Sequence, residues 1–351
     1  MMRTSLFALL AVLLSVSASA QDSTRLLPVG FKLSGSADVY YKYNFNKNAT
    51  DNKTSFTGSH NSFELNMLSL KLESSFKNVG MVADIGFGKR AEDFSYNDEK
   101  TRLAIKQLYV AYAPTSWLKF SMGSYSTHVG YELVDAYANR NYSMSYMFSY
   151  GPFFHTGVKA DLTFGSHSFM VGVFNPTDFK SATWGGIKFI GAQYGFAPAE
   201  VPFKFYLNYI GGRDTFQTRN DQLDAVLTYQ LTPKFGFGYN GTYSMYKNGI
   251  STNWYGSALY LNFDPTESIG LTLRGEYFSD KDNIKVYGDK TEYPEGGSIF
   301  AVTLSGQYKV GGFTLIPEFR LDHGSKDIFL KGEDVPKANS ANVLLAAIYK
   351  F

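Results

Sequence analysis

The sequence of 351 residues contains no cysteine, which excludes disulfide bonds and thiolate metal sites. Past the first twenty residues it has no apolar run of about 18 residues, the length that a membrane-spanning helix needs. Lysine and arginine total 33 against 31 aspartates and glutamates, too even a balance for a nucleic-acid binder that relies on charge. It also lacks a G-x-S-x-G elbow and any histidine pair at metal-ligand spacing. We therefore predict no enzymatic activity, no metal and no cofactor.

Aromatic residues and glycine are abundant, with 26 tyrosines, 30 phenylalanines and 33 glycines. Phenylalanine and tyrosine favour strands and suit a protein surface that meets lipid. The composition therefore indicates an all-β chain.

The N-terminus has the pattern of a secretory signal peptide. Arg3 supplies a positive charge, Leu6 to Val16 form a short apolar stretch, and Ala18-Ser19-Ala20 fits a cleavage site. We predict that residues 1–20 are a signal peptide, that the mature chain begins at Gln21, and that residues 21–351 form a single domain.

Strict alternation of apolar and polar residues runs from Gly30 to Phe45. One face carries Phe31, Leu33, Gly35, Ala37, Val39, Tyr41, Tyr43 and Phe45. The other face carries Lys32, Ser34, Ser36, Asp38, Tyr40, Lys42 and Asn44. A period of two residues predicts a strand, and three charges on one face suit a surface that lines water.

The same pattern predicts sixteen strands. They cover Gly30–Phe45, Phe63–Phe76, Gly80–Arg90, Arg102–Tyr112, Leu118–Tyr125, Phe153–Phe164, Ser168–Asn175, Trp184–Phe196, Pro202–Gly212, Gln222–Thr232, Lys234–Lys247, Asn253–Phe263, Ser268–Ser279, Ser298–Val310, Gly312–His323 and 341–351. A change of phase near Met67-Leu68 predicts a β-bulge. An even number of strands fits a transmembrane, antiparallel, up-and-down β-barrel, and at this size the wall leaves an aqueous channel.

The connections between these strands alternate between short turns and longer polar loops. The predicted longer loops include 46–59, 91–101, 126–152, Asn248–Thr252, 280–297 and 324–340. Outer-membrane barrels have short periplasmic turns and longer extracellular loops. This asymmetry predicts which end of the barrel faces the periplasm.

The last eleven residues form a strand that ends in an aromatic residue. Phe351, Tyr349, Ala347, Leu345 and Val343 share one face, and the length suits a tilted bilayer-crossing strand. A lone strand cannot leave its backbone groups unpaired in lipid, so it must close a barrel. The ending resembles the C-terminal assembly signal of bacterial outer-membrane barrels, which implies that Phe351 and Tyr349 are recognised by the outer-membrane assembly machinery.

Several segments together resemble the OmpL-like β-barrel porins, the porin-2 family of Bacteroidota-type envelopes. The segments are Gly30–Tyr41, His60–Phe63, Lys106–Tyr112, Gly130–Glu132, Asn141–Ser143 and Pro152–Val158. The resemblance implies an outer-membrane pore in a Gram-negative bacterium, and it supplies no solute and no catalytic residue.

The longest connection, Ser126–Pro152, joins the fifth and sixth strands. It carries Glu132, Asp135 and Arg140 among several tyrosines. An inward fold would make these three residues a pore constriction, because opposed charges across a narrow water path sort solutes. An external aromatic loop is the alternative.

Charged residues on the inward face of the strands are the predicted pore lining. They include Asp38, Lys42, His155, Lys159, Asp161, Arg274, Glu276, Glu318 and Arg320. With the further candidates Lys32, Lys309, Asp224 and Asp322, the two signs are nearly balanced, which predicts weak selectivity. Arg274 beside Glu276, and Arg320 between Glu318 and Asp322, are expected to form ion pairs on a wet wall, each worth about 1 kcal/mol or less.

Two other motifs carry little chemistry in this context. Gly236–Gly241 matches G-x-G-x-x-G, but strand alternation runs through it, so it lacks the strand–helix setting of a nucleotide site. Asp280–Asn283 is similar to the start of a calcium loop, but Lys285 and Thr291 stand at the glycine and glutamate positions. An ordinary outer loop is one interpretation, and a looser calcium site or a lipopolysaccharide-bridging site is the alternative.

The function predicted is passive diffusion of small hydrophilic solutes through a water-filled barrel narrowed by an inward-folded loop. The alternatives are a channel specific for sugars or peptides, and a plugged structural or adhesion barrel. The predicted partners are outer-membrane lipid and lipopolysaccharide, the assembly machinery and small solutes, without nucleic acid. The sequence leaves the formation of a homo-oligomer open.

Overall fold

The computed structural model describes residues 30–183, 186–214, 217–288, 291–333 and 335–351. Sixteen antiparallel strands close into one barrel, which confirms the predicted fold class and strand number. The barrel strands are β1 (Phe31–Asn44), β2 (Ser62–Phe76), β3 (Val79–Phe87), β4 (Ile105–Thr115), β5 (Leu118–Ser126), β6 (Phe154–Phe164), β7 (His167–Phe174), β8 (Phe189–Phe196), β9 (Phe203–Arg213), β10 (Arg219–Gln230), β11 (Phe235–Asn248), β12 (Ile250–Phe263), β13 (Ile269–Asp280), β14 (Gly297–Val310), β15 (Phe313–Gly324) and β18 (Asn339–Lys350). The predicted signal peptide and Gln21 lie outside the described residues.

The barrel closes between its first and last strands. β1 pairs with β18, and the register places Val39 opposite Ala347. Gly35 and Phe351 exchange two backbone hydrogen bonds of 3.0 Å each. The ring of Phe351 lies where a β-carbon on Gly35 would be, so a glycine allows this close approach.

The two faces of the strands differ as the alternation predicts. Large apolar side chains such as Leu33, Val39 and Leu65, the last of them 80% exposed, point away from the barrel axis. Polar side chains such as Asp38 and Lys42 point inward and are buried. An apolar outer surface is what the hydrocarbon of a bilayer requires.

The predicted bulge in the second strand is present and lies at Asn66. Asp38 and Val39 on β1 pair with Met67 and Leu65, so Asn66 is the extra residue. Its side chain turns inward and donates a hydrogen bond of 3.0 Å to Asp38. The bulge therefore serves to place a polar group in the interior.

Short helices occupy the connections where longer strands were predicted. The strand predicted over Gly80–Arg90 is too long, because Gly88 adopts a φ of 114° and a helix follows over Lys89–Phe94. The strand predicted from Arg102 starts too early, because a 3₁₀ helix covers Lys100–Ala104. Further short helices cover Ala136–Ala138 and Tyr146–Tyr150. Among the described residues, no helix is both long and apolar enough to span a membrane.

Three further boundaries differ from the prediction. The eighth strand begins at Phe189, while Trp184 lies outside the described residues. The predicted loop Asn248–Thr252 is wrong, because β11 and β12 meet at a turn centred on Gly249, whose φ is 75°. The connection after β15 contains a small hairpin of β16 (Phe329–Lys331) and β17 (Val335–Lys337). Gly236–Gly241 lies within β11, as the strand interpretation predicts.

Apolar cores lie inside the barrel, between the wall and the loops. One buried cluster joins three connections through Phe56, Phe94 and the pair Phe148 and Phe153 of a single loop. Another joins Tyr142 to inward residues of the last strand, among them Leu344. The interior of the barrel is therefore packed by the chain's own loops as well as lined by its wall.

Candidate functional site

The segment of residues 127–153, between β5 and β6, is termed the long loop. Hydrogen bonds connect it to β1, β2, β4, β8, β9, β10, β12, β13, β14 and β15. These strands lie around the whole ring, and a segment outside a closed barrel could not reach all of them. The long loop therefore crosses the interior.

Glu132 forms a buried ion pair with the wall. Its Oε1 lies 2.6 Å from Nη1 of Arg274, and the two side chains are 4% and 0% exposed. The other oxygen accepts a hydrogen bond of 2.7 Å from the backbone N–H of Ser145. Because Ser145 caps the helix Tyr146–Tyr150, this single carboxylate links the wall to both arms of the loop.

Asp135 contacts a lysine on the opposite side of the ring. Its carboxylate lies 2.5 Å from Nζ of Lys106, which also contacts Asp84 at 3.1 Å. Lys106 is buried, whereas the Asp135 side chain is 16% exposed. The loop is thus held between β13 and β4.

Arg140 lies at the far end of the loop, near the short turns. Its guanidinium forms a two-pronged contact with Asp264, with distances of 3.0 and 2.7 Å, and Nε donates to Thr272 at 2.8 Å. Asp264 follows β12 at the short-turn end of the barrel. The loop therefore starts at one end of the barrel and reaches the other, where Arg140 is 25% exposed.

Wall carboxylates accept hydrogen bonds from the backbone of the returning arm. Glu318 accepts from the N–H groups of Tyr142 and Ser143, at 2.7 and 3.0 Å. Glu276 accepts from the N–H of Met147 at 3.1 Å, and Asp38 accepts from the Tyr142 hydroxyl at 2.6 Å. Irregular backbone has unpaired N–H donors when it is buried, and Glu318 and Glu276 satisfy three of them.

The residues predicted to line the pore fall into two groups. Asp38, Lys42, His155, Arg274, Glu276, Glu318 and Arg320 all face inward but are buried under loops. Lys159 and Asp161 are partly exposed and pair at 2.9 Å. Arg274 forms its ion pair with Glu132 of the long loop and not with Glu276, the partner predicted on its own strand. Arg320 does pair with Asp322, as predicted, at 2.8 Å. Several ion pairs are therefore buried, and the energy of about 1 kcal/mol or less that was expected for solvated pairs on the wall does not apply to them.

Two features of the interior were not predicted from the sequence. The rings of His128 and His155 lie 5.0 Å apart, and Phe174 packs against His155. Burial lowers the pKa of His128 to about 4, so this residue is neutral near pH 7. Arg90 lies over the rings of Phe56 and Tyr142 at 5.0 Å each. The histidines are 27 positions apart, so no local spacing signals their contact.

A sequence signal for the docking of the loop does exist in the last strand. Leu344, Ala346 and Ile348 face inward, where a water-lined wall would carry polar residues. They pack against Ala136 and Tyr142 of the long loop. Apolar residues on the inward face thus mark the part of the wall that the loop covers.

The loop predicted as a candidate calcium site uses its carboxylates internally. Asp280 accepts hydrogen bonds from the N–H groups of Ile284, Lys285 and Tyr287. Asp282 accepts two from Asn253. In the parts of the chain that the structure describes, no group of three histidines or acidic residues could hold a metal ion.

Comparisons with known proteins agree with this geometry. A family model described as "Putative beta-barrel porin-2, OmpL-like" matches residues 30–351. OmpT of Vibrio cholerae is similar in structure, with a TM-score of 0.61 and 10% identity over 93% of this chain and 99% of that chain. The outer-membrane channel DcaP of Acinetobacter baumannii has a TM-score of 0.62 and 12% identity over 92% and 97%. A mutant of the Rh. blastica porin has a TM-score of 0.54 and 12% identity over 92% and 100%. None of the curated proteins compared with this chain matches its sequence.

Proposed function

Because this chain belongs to the OmpL-like β-barrel porin-2 family and is an outer-membrane porin of the Gram-negative type, we propose that small hydrophilic solutes diffuse passively through its barrel. The long loop narrows the path. A sixteen-stranded wall is too wide for its own side chains to fill, so selectivity requires an element inside it. This function needs no catalytic residue and no cofactor.

The observation that carries the proposal is the span of the long loop. It is bonded to Lys106 on one side of the ring and to Arg274 on the other, and it extends to Asp264 at the short-turn end. A segment held at three separated points occupies part of the cross-section along much of the barrel. The free cross-section is therefore smaller than the strand number implies.

The three predicted constriction residues have different roles in this proposal. Glu132 and Asp135 hold the loop to the wall through Arg274 and Lys106. Arg140 is the most exposed of the three charges, so it acts most directly on solutes that pass the short-turn end. Lys159 and Asp161 line the remaining water path, and the buried predicted lining residues act by anchoring loops.

A closed barrel is the second candidate function, and one observation favours it. Phe56, Phe94 and the long-loop residues Phe148 and Phe153 come from three connections and form a buried aromatic core in the interior. If this core blocks the whole cross-section at rest, the protein is a structural or adhesion barrel that conducts only when the loops move. A channel specific for sugars or peptides is the intermediate case, with loop tyrosines such as Tyr131 as stacking surfaces.

Planar-bilayer conductance tests the proposal. The full chain should conduct, and a variant shortened between Thr127 and Gly151 should conduct more, because the narrowing element is removed. The matched control replaces the exposed hairpin residues Lys331, Val335 and Lys337 by serine, and it should keep the conductance of the full chain. If neither the full chain nor the shortened variant carries current, while both form folded barrels, the closed barrel is the better account.

The remaining features of the proposal concern assembly. Residues 1–20 are a signal peptide, residues 21–351 form one domain, and the terminal Phe351 and Tyr349 are the assembly signal. The surroundings are outer-membrane lipid and lipopolysaccharide. One structure of OmpT is described as a trimer form, which supports a homo-oligomer as the assembly to test here.

A further inference from the structure

Seven lysine side chains face into the barrel near its short-turn end and remain partly or fully exposed. They are Lys32, Lys71, Lys119, Lys159, Lys204, Lys309 and Lys350. On the described strands, the exposed inward carboxylates of this region are Glu73 and Asp161. The surface that a solute meets here is therefore strongly basic.

Ion pairing neutralises only part of this charge. Lys71 pairs with Glu73 at 3.0 Å, and Lys159 pairs with Asp161 at 2.9 Å. Lys119, which is 53% exposed, shares Asp161 at 3.6 Å. Lys32, Lys204 and Lys309 have no ion-pair partner among the residues that the structure describes.

Four of these lysines line two cavities at the short-turn end of the barrel. A cavity of about 430 Å³ between β1 and β5 is lined by Lys32, Lys119, Glu73 and Tyr109. A second cavity of about 260 Å³, between the long loop and the neighbouring strands β14, β15 and β18, is lined by Arg140, Lys309 and Lys350. Both cavities therefore carry more basic than acidic side chains.

The acidic residues that would balance these lysines are withdrawn from the water path. Asp38, Glu276 and Glu318 are buried beneath the long loop and accept hydrogen bonds from it. Asp224 is buried in the same way and accepts from the N–H of Gly130. Lys42, Arg274 and Arg320 are buried as well. Of the charges counted on the strands, those that remain exposed are mainly Lys32, Lys159 and Lys309 against Asp161.

From this sorting of charge we infer that the pore favours anions, with small inorganic anions and carboxylates as the preferred solutes. The inference rests on the proposed diffusion function and adds the solute class to it. Walls of low dielectric constant focus the field of charges that line a water-filled cleft, and rings of lysine or arginine select anions in pores. The lysines at the short-turn end act as this filter.

The test is the reversal potential of the full chain in a planar bilayer under a tenfold gradient of potassium chloride. We expect a chloride-to-potassium permeability ratio above about 3, since several lysines without ion-pair partners face the lumen at the short-turn end. Replacing Lys32, Lys204 and Lys309 together by glutamine should move this ratio towards 1. These three lysines lack ion-pair partners among the described residues, so their replacement leaves no buried charge unpaired and the barrel should stay folded.

The matched control replaces three exposed lysines at the other end of the barrel, Lys47, Lys247 and Lys281, by glutamine. It carries the same change of net charge and should keep the anion preference. A full chain that conducts without preference, or with preference for potassium, overturns the inference and leaves the diffusion function standing. An equal loss of preference in the control and the test variant also overturns it. A folded barrel that carries no current overturns both proposals.

Discussion

Neutralising Glu132 should release the long loop from the wall. Glu132 and Arg274 form a contact of 2.6 Å in which both side chains are almost completely buried. Replacing Glu132 by glutamine leaves the Arg274 guanidinium buried without its counter-ion, and breaking such a pair costs about 3–5 kcal/mol. Glu276 lies on the same face of β13 and offsets part of this cost. We therefore expect the docked loop to lose about 3 kcal/mol, the lower end of that range.

The absence of cysteine makes this loss measurable. A single Ser143→Cys substitution places a thiol beside Arg274, whose Nη1 donates to the Ser143 carbonyl at 2.8 Å. Ser143 is buried, so a thiol reagent reaches it only when the loop opens. A loss of about 3 kcal/mol should raise the labelling rate by about 10²-fold, since 1.36 kcal/mol corresponds to a factor of ten.

A double substitution separates the ion pair from general damage to the loop. Replacing Glu132 by glutamine and Arg274 by methionine removes both charges, and the unpaired guanidinium is then absent. Labelling of Ser143→Cys should be slower in this double variant than in the Glu132→Gln variant, because coupled sites are not additive. A Glu132→Gln variant that labels within about threefold of the Ser143→Cys protein alone would refute the reasoning.

Two further predictions concern the terminus and one loop. Replacing Phe351 by alanine should lower the amount of the protein in the outer membrane of cells. The stability of the protein refolded in detergent should stay nearly unchanged, because the backbone hydrogen bonds between residue 351 and Gly35 remain. An unchanged amount in the outer membrane, measured beside a Leu345→Ala control, would contradict the role in assembly. Burial raises the pKa of Asp178, whose carboxylate accepts from the N–H groups of Phe153 and Phe154, to about 6. Because the pKa of Asp178 is higher in the folded state, its contribution to the free energy of unfolding is complete below the unfolded pKa of 3.8 and is lost as the pH rises through about 6. Between pH 4 and pH 7, the free energy of unfolding of the wild type should therefore fall by up to about 3 kcal/mol relative to that of Asp178→Asn. Parallel thermal unfolding curves for the two proteins across this range would contradict that shift.

The strands could be predicted from the sequence because their signal is local. Alternation over Gly30–Phe45 identifies β1 and its faces, and the phase change near Met67 identifies the bulge that the structure places at Asn66. Both depend on neighbours two residues apart, whose side chains share a face. The errors fall where local rules end, as at Gly88, where a positive φ stops the strand before Arg90.

The docking of the long loop could not be predicted in the same way. The contact between Glu132 and Arg274 joins residues 142 positions apart, and neither residue has a neighbour that signals the other. The sequence does show that the loop is long and carries both charge signs. It does not show which carboxylates of the wall the loop covers, and the balance of exposed charge depends on that.

The burial of acidic residues inside the barrel has a physical cause that a count of charged residues does not show. Loops without regular structure bring backbone N–H donors into the barrel, and buried donors need acceptors. A carboxylate accepts hydrogen bonds, whereas the lysine ammonium only donates them, so carboxylates are the charged groups that can satisfy the N–H donors of the incoming loops. Glu318, Glu276, Asp224 and Asp178 each accept from loop N–H groups, and all four are buried. The loop carbonyls in turn accept hydrogen bonds from Arg90, Arg274 and Arg320, so the inward-folded loops bury charges of both signs. The side chains of Lys32, Lys204 and Lys309 take no part in these contacts, and they face the water although the chain as a whole is nearly neutral.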